Sequence, residues 1–495
     1  MAECFMELSG ISKSFGGVKA LQNIDMKIYE GQVLCLAGEN GCGKSTLIKI
    51  ISGFYEPDGG TIWMKEKQYT RMNLREAIRL GIQVVYQDFS IFPNLTVYEN
   101  IAINTLLAGK RKIVRKKEMK EIARTALEQI DAEIPLEALV ESLSVADKQL
   151  VAIARAILNN ARLLILDEPT SALTNREVKE LFKVIGSLKK KGLAIVFVSH
   201  KLDEMFEICD RVSVLSNGKS VIEDDITKFD KKKLVYYMTG KEYDDKPLYR
   251  EPVRKEPILS VRHLSKRDCF ADINFDLYPG EVLGITGLLG SGRTELAQAV
   301  YGIGPADEGE LVIKGTNVTI RSVKDGLRNK IAYIPEDRLT EGLFLTQSIS
   351  RNIVISSLDQ VSGHTGILKG EKIKSSVKEW VERLRIKTDH PENPVDMLSG
   401  GNQQKVVLAK GLATRPEIIL LNCPTVGVDI GSKMDISRLM QQIAAEGIGV
   451  ILISDDSNEI LVNCSRFLMI KNGRIQGEYR SADFTETSLY TKLIC

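Results

Sequence analysis

Apolar residues along this chain gather in short runs. "LLILDEP" (163–169), "LAIVFVSH" (193–200) and "DRVSVLSNG" (210–218) hold runs too brief for helices, which predicts buried parallel strands. Segments with helical spacing separate them, so the core is expected to be α/β. The stretch from about Leu95 to Ala138 is long, keeps helical spacing and interrupts the alternation. It reads as a helical subdomain inserted into the core. The predicted order is a β-rich opening, a glycine loop, a helix, a helical middle, then strand, turn, helix and strand.

That order occurs twice. "GENGCGKST" (Gly38–Thr46) returns as "GLLGSGRTE" (Gly287–Glu295), an offset of 249 (287 − 38). "ESLSVADKQLVAIARAIL" (Glu141–Leu158) returns as "DMLSGGNQQKVVLAKGLA" (Asp396–Ala413), an offset of 255 (396 − 141). The chain is therefore read as a duplication, with domains at 1–240 and 258–495. The segment between them, 241–257, is charged, proline-bearing and without apolar period, as an exposed connector would be.

Composition narrows the classes. A length of 495 residues suits two domains, and a net charge of +2 gives no overall basic field to favour nucleic acid. The eight cysteines are scattered without a C-x-x-C pair, which fits reduced thiols and argues against a disulfide framework or zinc site. The opening "MAECFMELSG" lacks a signal pattern, and no apolar run approaches the roughly 20 residues of a membrane span. Work at a membrane would need a partner to supply the spans.

The first half carries the chemistry. Gly38, Glu39, Asn40, Gly41, Cys42, Gly43, Lys44, Ser45 and Thr46 form a complete Walker A loop after an apolar strand. Its glycines turn backbone N–H groups inward around phosphates, toward the positive end of the next helix. Lys44 is expected to reach the β- and γ-phosphates of ATP, and Ser45 to ligate Mg²⁺. Asp167, ending "LLIL", would hold Mg²⁺; Glu168 is placed to take a proton from the attacking water. His200 reads either as a γ-phosphate partner or as a cap before "KLDEMFE". Gln87, leaving the strand "VVYQD", would sense Mg²⁺ and water. Phe15, in "SKSFGG", reads either as an adenine platform or as a core aromatic.

"LSGGNQQK" (398–405) resembles the ABC signature. Together with the two glycine loops, Gln87, Asp167, Glu168 and His200, the chain resembles a tandem ABC ATPase over nearly its whole length. More closely, "DEPTSALT", "GSGRTE", "PEDR" and "LSGGNQQKVVLAKGL" resemble the ATP-binding subunit of bacterial importers for ribose, galactose and xylose. The resemblance implies a peripheral subunit at the cytoplasmic membrane face, joined to integral permease subunits and served by an extracytoplasmic sugar-binding protein. Residues 88–100, "DFSIFPNLTVYEN", would dock the permease, or else form a buried loop.

In that family two nucleotide domains close head to tail. Site one would then join Gly38–Ser45, Asp167, Glu168 and His200 to Ser399, Gly400 and Gly401, with Asp429 delivered across. Site two would be degenerate. Arg293 and Thr294 stand in its Walker loop, Asn422 and Cys423 replace both acids, Asp455 takes the His200 position and Glu336 the Gln87 position. Ser144-Val145-Ala146 replaces the signature glycines, and Thr174 the crossing acid. Loss of both acids departs from the family pattern, in which a second "DEPT" is common. One hydrolytic site per chain is expected, the other binding nucleotide weakly or bracing the dimer. The alternative is a soluble tandem ATPase acting on ribosomes. It is disfavoured by the short connector and the degraded site.

Overall fold

The computed structural model describes residues 3–86, 88, 90–108, 115–171, 173–199, 201–242, 246–251, 256–363 and 366–494. The chain divides into two units, Met1–Tyr243 and Asp244–Cys495.

In the first unit the apolar runs become a six-stranded sheet. Its order is Lys219–Asp225, Arg211–Ser216, Val33–Ala37, Ala194–Val198, Leu163–Asp167 and Ile82–Val85. All neighbours pair in parallel except the first two, which are antiparallel. Val33–Ala37 and Ala194–Val198 are buried at every position, as strands covered on both faces must be. A second, antiparallel sheet runs Val18–Tyr29, Cys4–Phe15, Gly59–Met64, Lys67–Tyr69. Here burial alternates: Leu21, Ile24, Met26 and Ile28 face the core while Asp25 and Lys27 face water.

The helices Val97–Ala108, Lys116–Glu128 and Val145–Leu158 pack on one another. The helical region thus reaches past Ala138, because the signature helix itself closes it. An antiparallel bridge, Thr96 to Leu139, ties the segment before Val97–Ala108 to the one before Val145–Leu158.

The second unit repeats the plan. Its six-stranded sheet runs Ile331–Ile334, Ile418–Asn422, Gly449–Ile453, Val282–Thr286, Arg466–Lys471, Arg474–Arg480, the same connectivity as in the first. Its four-stranded sheet runs Phe270–Leu277, Leu259–Lys266, Glu308–Ile313, Thr316–Val318. Among the described residues, 241–257 contain no helix or strand. That segment is not wholly free: the Leu248 N–H donates to Val462 O at 2.8 Å, tying it to the second unit.

Candidate functional site

In each unit the glycine loop leaves a central strand, and the chemically loaded segments leave strands beside it. Ligands of open α/β sheets bind at these carboxyl ends. In the first unit Val33–Ala37 carries the loop, Leu163–Asp167 ends in the first acid, and Ala194–Val198 lies between them.

The loop's shape needs its glycines. Gly38, Gly41 and Gly43 have φ of 150°, 79° and 109°. A Cβ on Gly38 would run into Leu215 O, and one on Gly43 would lie 2.7 Å from Ala20 O and Leu21 Cδ2. Gly41 faces open space. The buried Lys44, first residue of the helix Lys44–Ile51, bends its ammonium back to donate to Gly38 O (2.8 Å) and Glu39 O (2.9 Å). Cys42 is buried with Sγ 3.9 Å from Lys44 Nζ, and burial pushes its thiol up. Asn40 and Ser45 are exposed, Thr46 partly so. The cradle suits a polyphosphate: a cation at its centre, a helix N-terminus behind it, and no room for a side chain at Gly38 or Gly43.

Asp167 is half-buried at its strand end. Burial and then Glu168 push its carboxyl up, while Lys44 and Lys49 pull it down. Among the described residues no group of three or more His, Cys, Asp or Glu could hold a metal. One hydroxyl and one carboxylate, Ser45 and Asp167, nonetheless fit Mg²⁺, which takes most of its ligands from water and substrate phosphate. Glu168 has φ 46° and anchors its N–H on Val198 O at 3.1 Å. Gln87 and His200 lie outside the described residues.

One buried network escaped the sequence reading. Glu204 Oε2 accepts from Thr170 Oγ1 (2.6 Å) and Ser199 Oγ (2.9 Å), and Lys201 Nζ lies 3.0 Å from both Glu204 Oε1 and Thr170 O. It ties the segment after Glu168 to the segment before position 200. Glu204 is one of three acids in the short helix Leu202–Ile208, with Asp203 and Glu207, so the sequence does not single it out. Phe15 is 41% exposed and rests against Tyr55 with ring centroids 5.2 Å apart, so it is not a core aromatic.

The second unit keeps the backbone and changes the chemistry. Cys423 has φ 45° and its N–H donates to Ile453 O at 2.8 Å, the geometry of Glu168. The thiol is buried, which pushes it up to about 12. Burial therefore favours its protonated form. Asn422 Nδ2 donates to Thr294 Oγ1 (3.4 Å) and Tyr333 OH (3.3 Å). Arg293 is buried, donates to Gly287 O, and pairs with Asp455 Oδ2 at 3.3 Å.

The two signature segments differ in how their helices begin. Ser144 caps its own helix: its Oγ accepts from Asp147 N at 3.1 Å and donates to Asp147 Oδ2 at 2.9 Å. Ser399 makes no such cap bond; its Oγ accepts from Asn402 Nδ2 at 2.9 Å, so the N–H groups at the start of Gly400–Leu412 keep no side-chain cap. Gly401 is also required sterically, since a Cβ would collide with Ser432 Oγ. Ser432 is bound to Asp429, which caps the helix Ile430–Ala445 through Ser432 N at 2.8 Å. Arg338 of "PEDR" is a further residue the sequence did not single out for a role. It donates to Val426 O (2.9 Å) and Gly427 O (3.2 Å) and would lie 3.0 Å from a Cβ on Gly400.

Two glycine-loop cores in one chain, one with acids at its strand end and one without, define a tandem P-loop nucleotide-binding protein. The family described as "ABC transporter" matches residues 21–171 and 270–426. The chain belongs to that family, whose ATP-binding domains hydrolyse ATP in step with transport. It is 38% identical to the ribose import ATP-binding protein RbsA of Caldanaerobacter subterraneus subsp. tengcongensis, covering 99% of both chains. It is 40% identical to the RbsA of Geobacillus kaustophilus (95% of both). A putative ribose/galactose/methyl galactoside import ATP-binding protein of Halalkalibacterium halodurans is 39% identical over 97% of this chain and 92% of its own. The ADP conformation of a solved ATP-binding cassette of an ABC transporter matches 48% of this chain and 100% of its own, with 26% identity and a TM-score of 0.44. These full-length relatives are named for import, which gives no support to the ribosome-acting alternative. No helix among the described residues is long and apolar enough to cross a membrane.

Proposed function

We propose that this chain is the ATP-hydrolysing subunit of a monosaccharide importer, with ribose and related sugars as the substrate class. It works peripherally at the cytoplasmic membrane face with integral permease subunits and, indirectly, an extracytoplasmic sugar-binding protein. Similarity to sugar-import ATP-binding proteins along almost the whole chain carries this reading.

Within the chain, one catalytic site does the hydrolysis. Lys44 exchanges its two loop carbonyls for phosphate oxygens. Ser45 and Asp167 would hold Mg²⁺, and the sequence pattern assigns Gln87 a part in sensing it; the ion would supply charge to neutralise the phosphates. Glu168 orients the water and takes its proton, and His200 donates to the γ-phosphate. Phe15 offers its face to the adenine. In the second unit, Ser399, Gly400 and Gly401 begin a helix with no side-chain cap, which keeps N–H donors suited to phosphate.

The test is ATP turnover of the chain assembled with its permease. Glu168→Gln is expected to lower turnover by about 10²–10⁴-fold, the usual worth of a positioned base. Full activity in that variant would overturn the single-site reading. Ribose uptake that persists after deletion of the chain would overturn the importer reading.

A further inference from the structure

The signature helix of the second unit, Gly400–Leu412, starts without a side-chain cap, yet its first two residues are closely bounded. A Cβ on Gly401 would collide with Ser432 Oγ. One on Gly400 would lie 3.0 Å from Arg338 Nη2 and 3.5 Å from Gly427 O. The Arg338 fork itself donates to Val426 O (2.9 Å) and Gly427 O (3.2 Å). It thus joins its own turn, the turn after Cys423 and the signature start.

The turn that carries Arg338 is fastened to the same helix. Asp337 Oδ1 accepts from Leu339 N (2.8 Å) and Thr340 N (3.2 Å), which shapes residues 338–342. At the far end of that turn Lys410 Nζ donates to Gly342 O at 3.0 Å. The placement of Arg338 nevertheless opposes stability. Its Nε is buried without a partner among the described residues. Burial pulls the guanidinium's pKa down, and Asp337 only partly offsets this. A cation beside a helix start meets the positive end of the helix dipole. The two carbonyls it holds belong to exposed residues, where water can take over as donor.

The first unit lacks both this arginine and the signature glycines. By the offsets of 249 and 255, Phe89, Val145 and Ala172 stand where Arg338, Gly400 and Gly427 stand here (338 − 249 = 89, 400 − 255 = 145, 427 − 255 = 172). Gly427 has φ 68°, and a Cβ on it would lie 3.1 Å from Arg338 Nη1. The arginine and the two glycines therefore form one steric set, present in the unit whose signature is intact.

We propose that Arg338 is a positioning residue for ATP hydrolysis: it locks the signature start to the turn after Cys423 and so aims the N–H donors of Gly400 and Gly401. It acts through that segment. The inference rests on the reading of Ser399, Gly400 and Gly401 as a phosphate-binding helix start.

Steady-state ATP turnover of the chain assembled with its permease tests it. Arg338→Met keeps the stem and removes the fork. It is expected to lower kcat at least about tenfold. KM for ATP should stay within about twofold, since Lys44 and its loop are untouched. The second unit's urea midpoint, read by Trp380 fluorescence in a Trp63→Phe background, should hold or rise; a merely structural role would lower it. Arg338→Lys, which can serve one carbonyl at a time, should recover part of kcat. Arg338→Met combined with Ser399→Ala should lose less than the product of the two single losses, because both act through one helix start. Unchanged kcat in Arg338→Met, a lowered midpoint, no recovery in the lysine variant, or fully multiplicative losses would each overturn the proposal. Ser399→Ala alone reports on the signature reading. Full turnover there removes that reading and the proposal with it; loss there with full turnover in Arg338→Met sinks the positioning role alone.

Discussion

At the scale of single residues, the same backbone position does opposite things in the two units. Glu168 and Cys423 share a left-handed φ and the same N–H anchor on the neighbouring strand. Burial pushes the Cys423 thiol up to about 12, so it should resist alkylation by iodoacetamide in the native protein at pH 8 and react only on unfolding. A second residue pair sets a pH dependence. Glu204 of the first unit has Lys201 at 3.0 Å; the matching Glu459 has Asp456 instead, and Lys433 pairs with Asp456 at 3.3 Å. Burial, then Asp456, push Glu459 up to about 7 from 4.5. Folding raises this acid's pKa, so the native state binds the proton more tightly. The stabilisation is complete below the unfolded value and is lost as pH rises through about 7. The second unit should lose about 3 kcal/mol between pH 4.5 and 8 from this group, and Glu459→Gln should flatten the curve. Trp380 fluorescence during urea unfolding, in a Trp63→Phe background, would read the second unit alone.

At the scale of elements, helix starts and one buried amide decide local order. Ser144→Ala removes a cap and should cost about 1 kcal/mol with little effect on turnover. Ser399→Ala removes no backbone cap bond, so it should leave stability nearly unchanged while lowering turnover. Urea midpoints and ATPase rates on both variants would check the contrast. In the inserted helical region Asn100 is fully buried. Its Oδ1 accepts from Phe92 N at 2.8 Å, and its Nδ2 reaches the carbonyls of Phe92, Leu95 and Thr96. Asn352 does the same for Phe344, Gln347 and Ser348. The clasp fixes the Phe92 backbone, and the Phe92 side chain is 48% exposed. Asn100→Leu should cost about 2 kcal/mol or more, because buried backbone groups lose partners, and should weaken co-purification with the permease.

At the scale of the whole molecule, the losses in the second unit reinforce one another. The acids are gone, the arginine is bonded to Asp455, and the Asn422 amide holds the Thr294 hydroxyl. Restoring the acids alone, as Asn422→Asp with Cys423→Glu, should leave turnover per chain unchanged. A rise toward twofold would show that the second site needs only its acids.

The α/β class, the duplication and the Walker residues were legible because each is a local pattern: an apolar run, a repeated string, a glycine spacing. So was the loss of Asp and Glu at 422 and 423, which needs only the two halves laid side by side. Tertiary structure alone decided how the vacated positions were filled. The Arg293–Asp455 pair spans 162 residues (455 − 293), and Arg338 reaches carbonyls 88 and 89 residues away. Ser144 and Ser399 look alike in sequence yet differ in capping, because their neighbours three residues downstream differ: Asp147 turns back on one, while Asn402 donates to the other. Spacing along a chain fixes what neighbouring residues can form; only the fold brings distant charges within reach of one another.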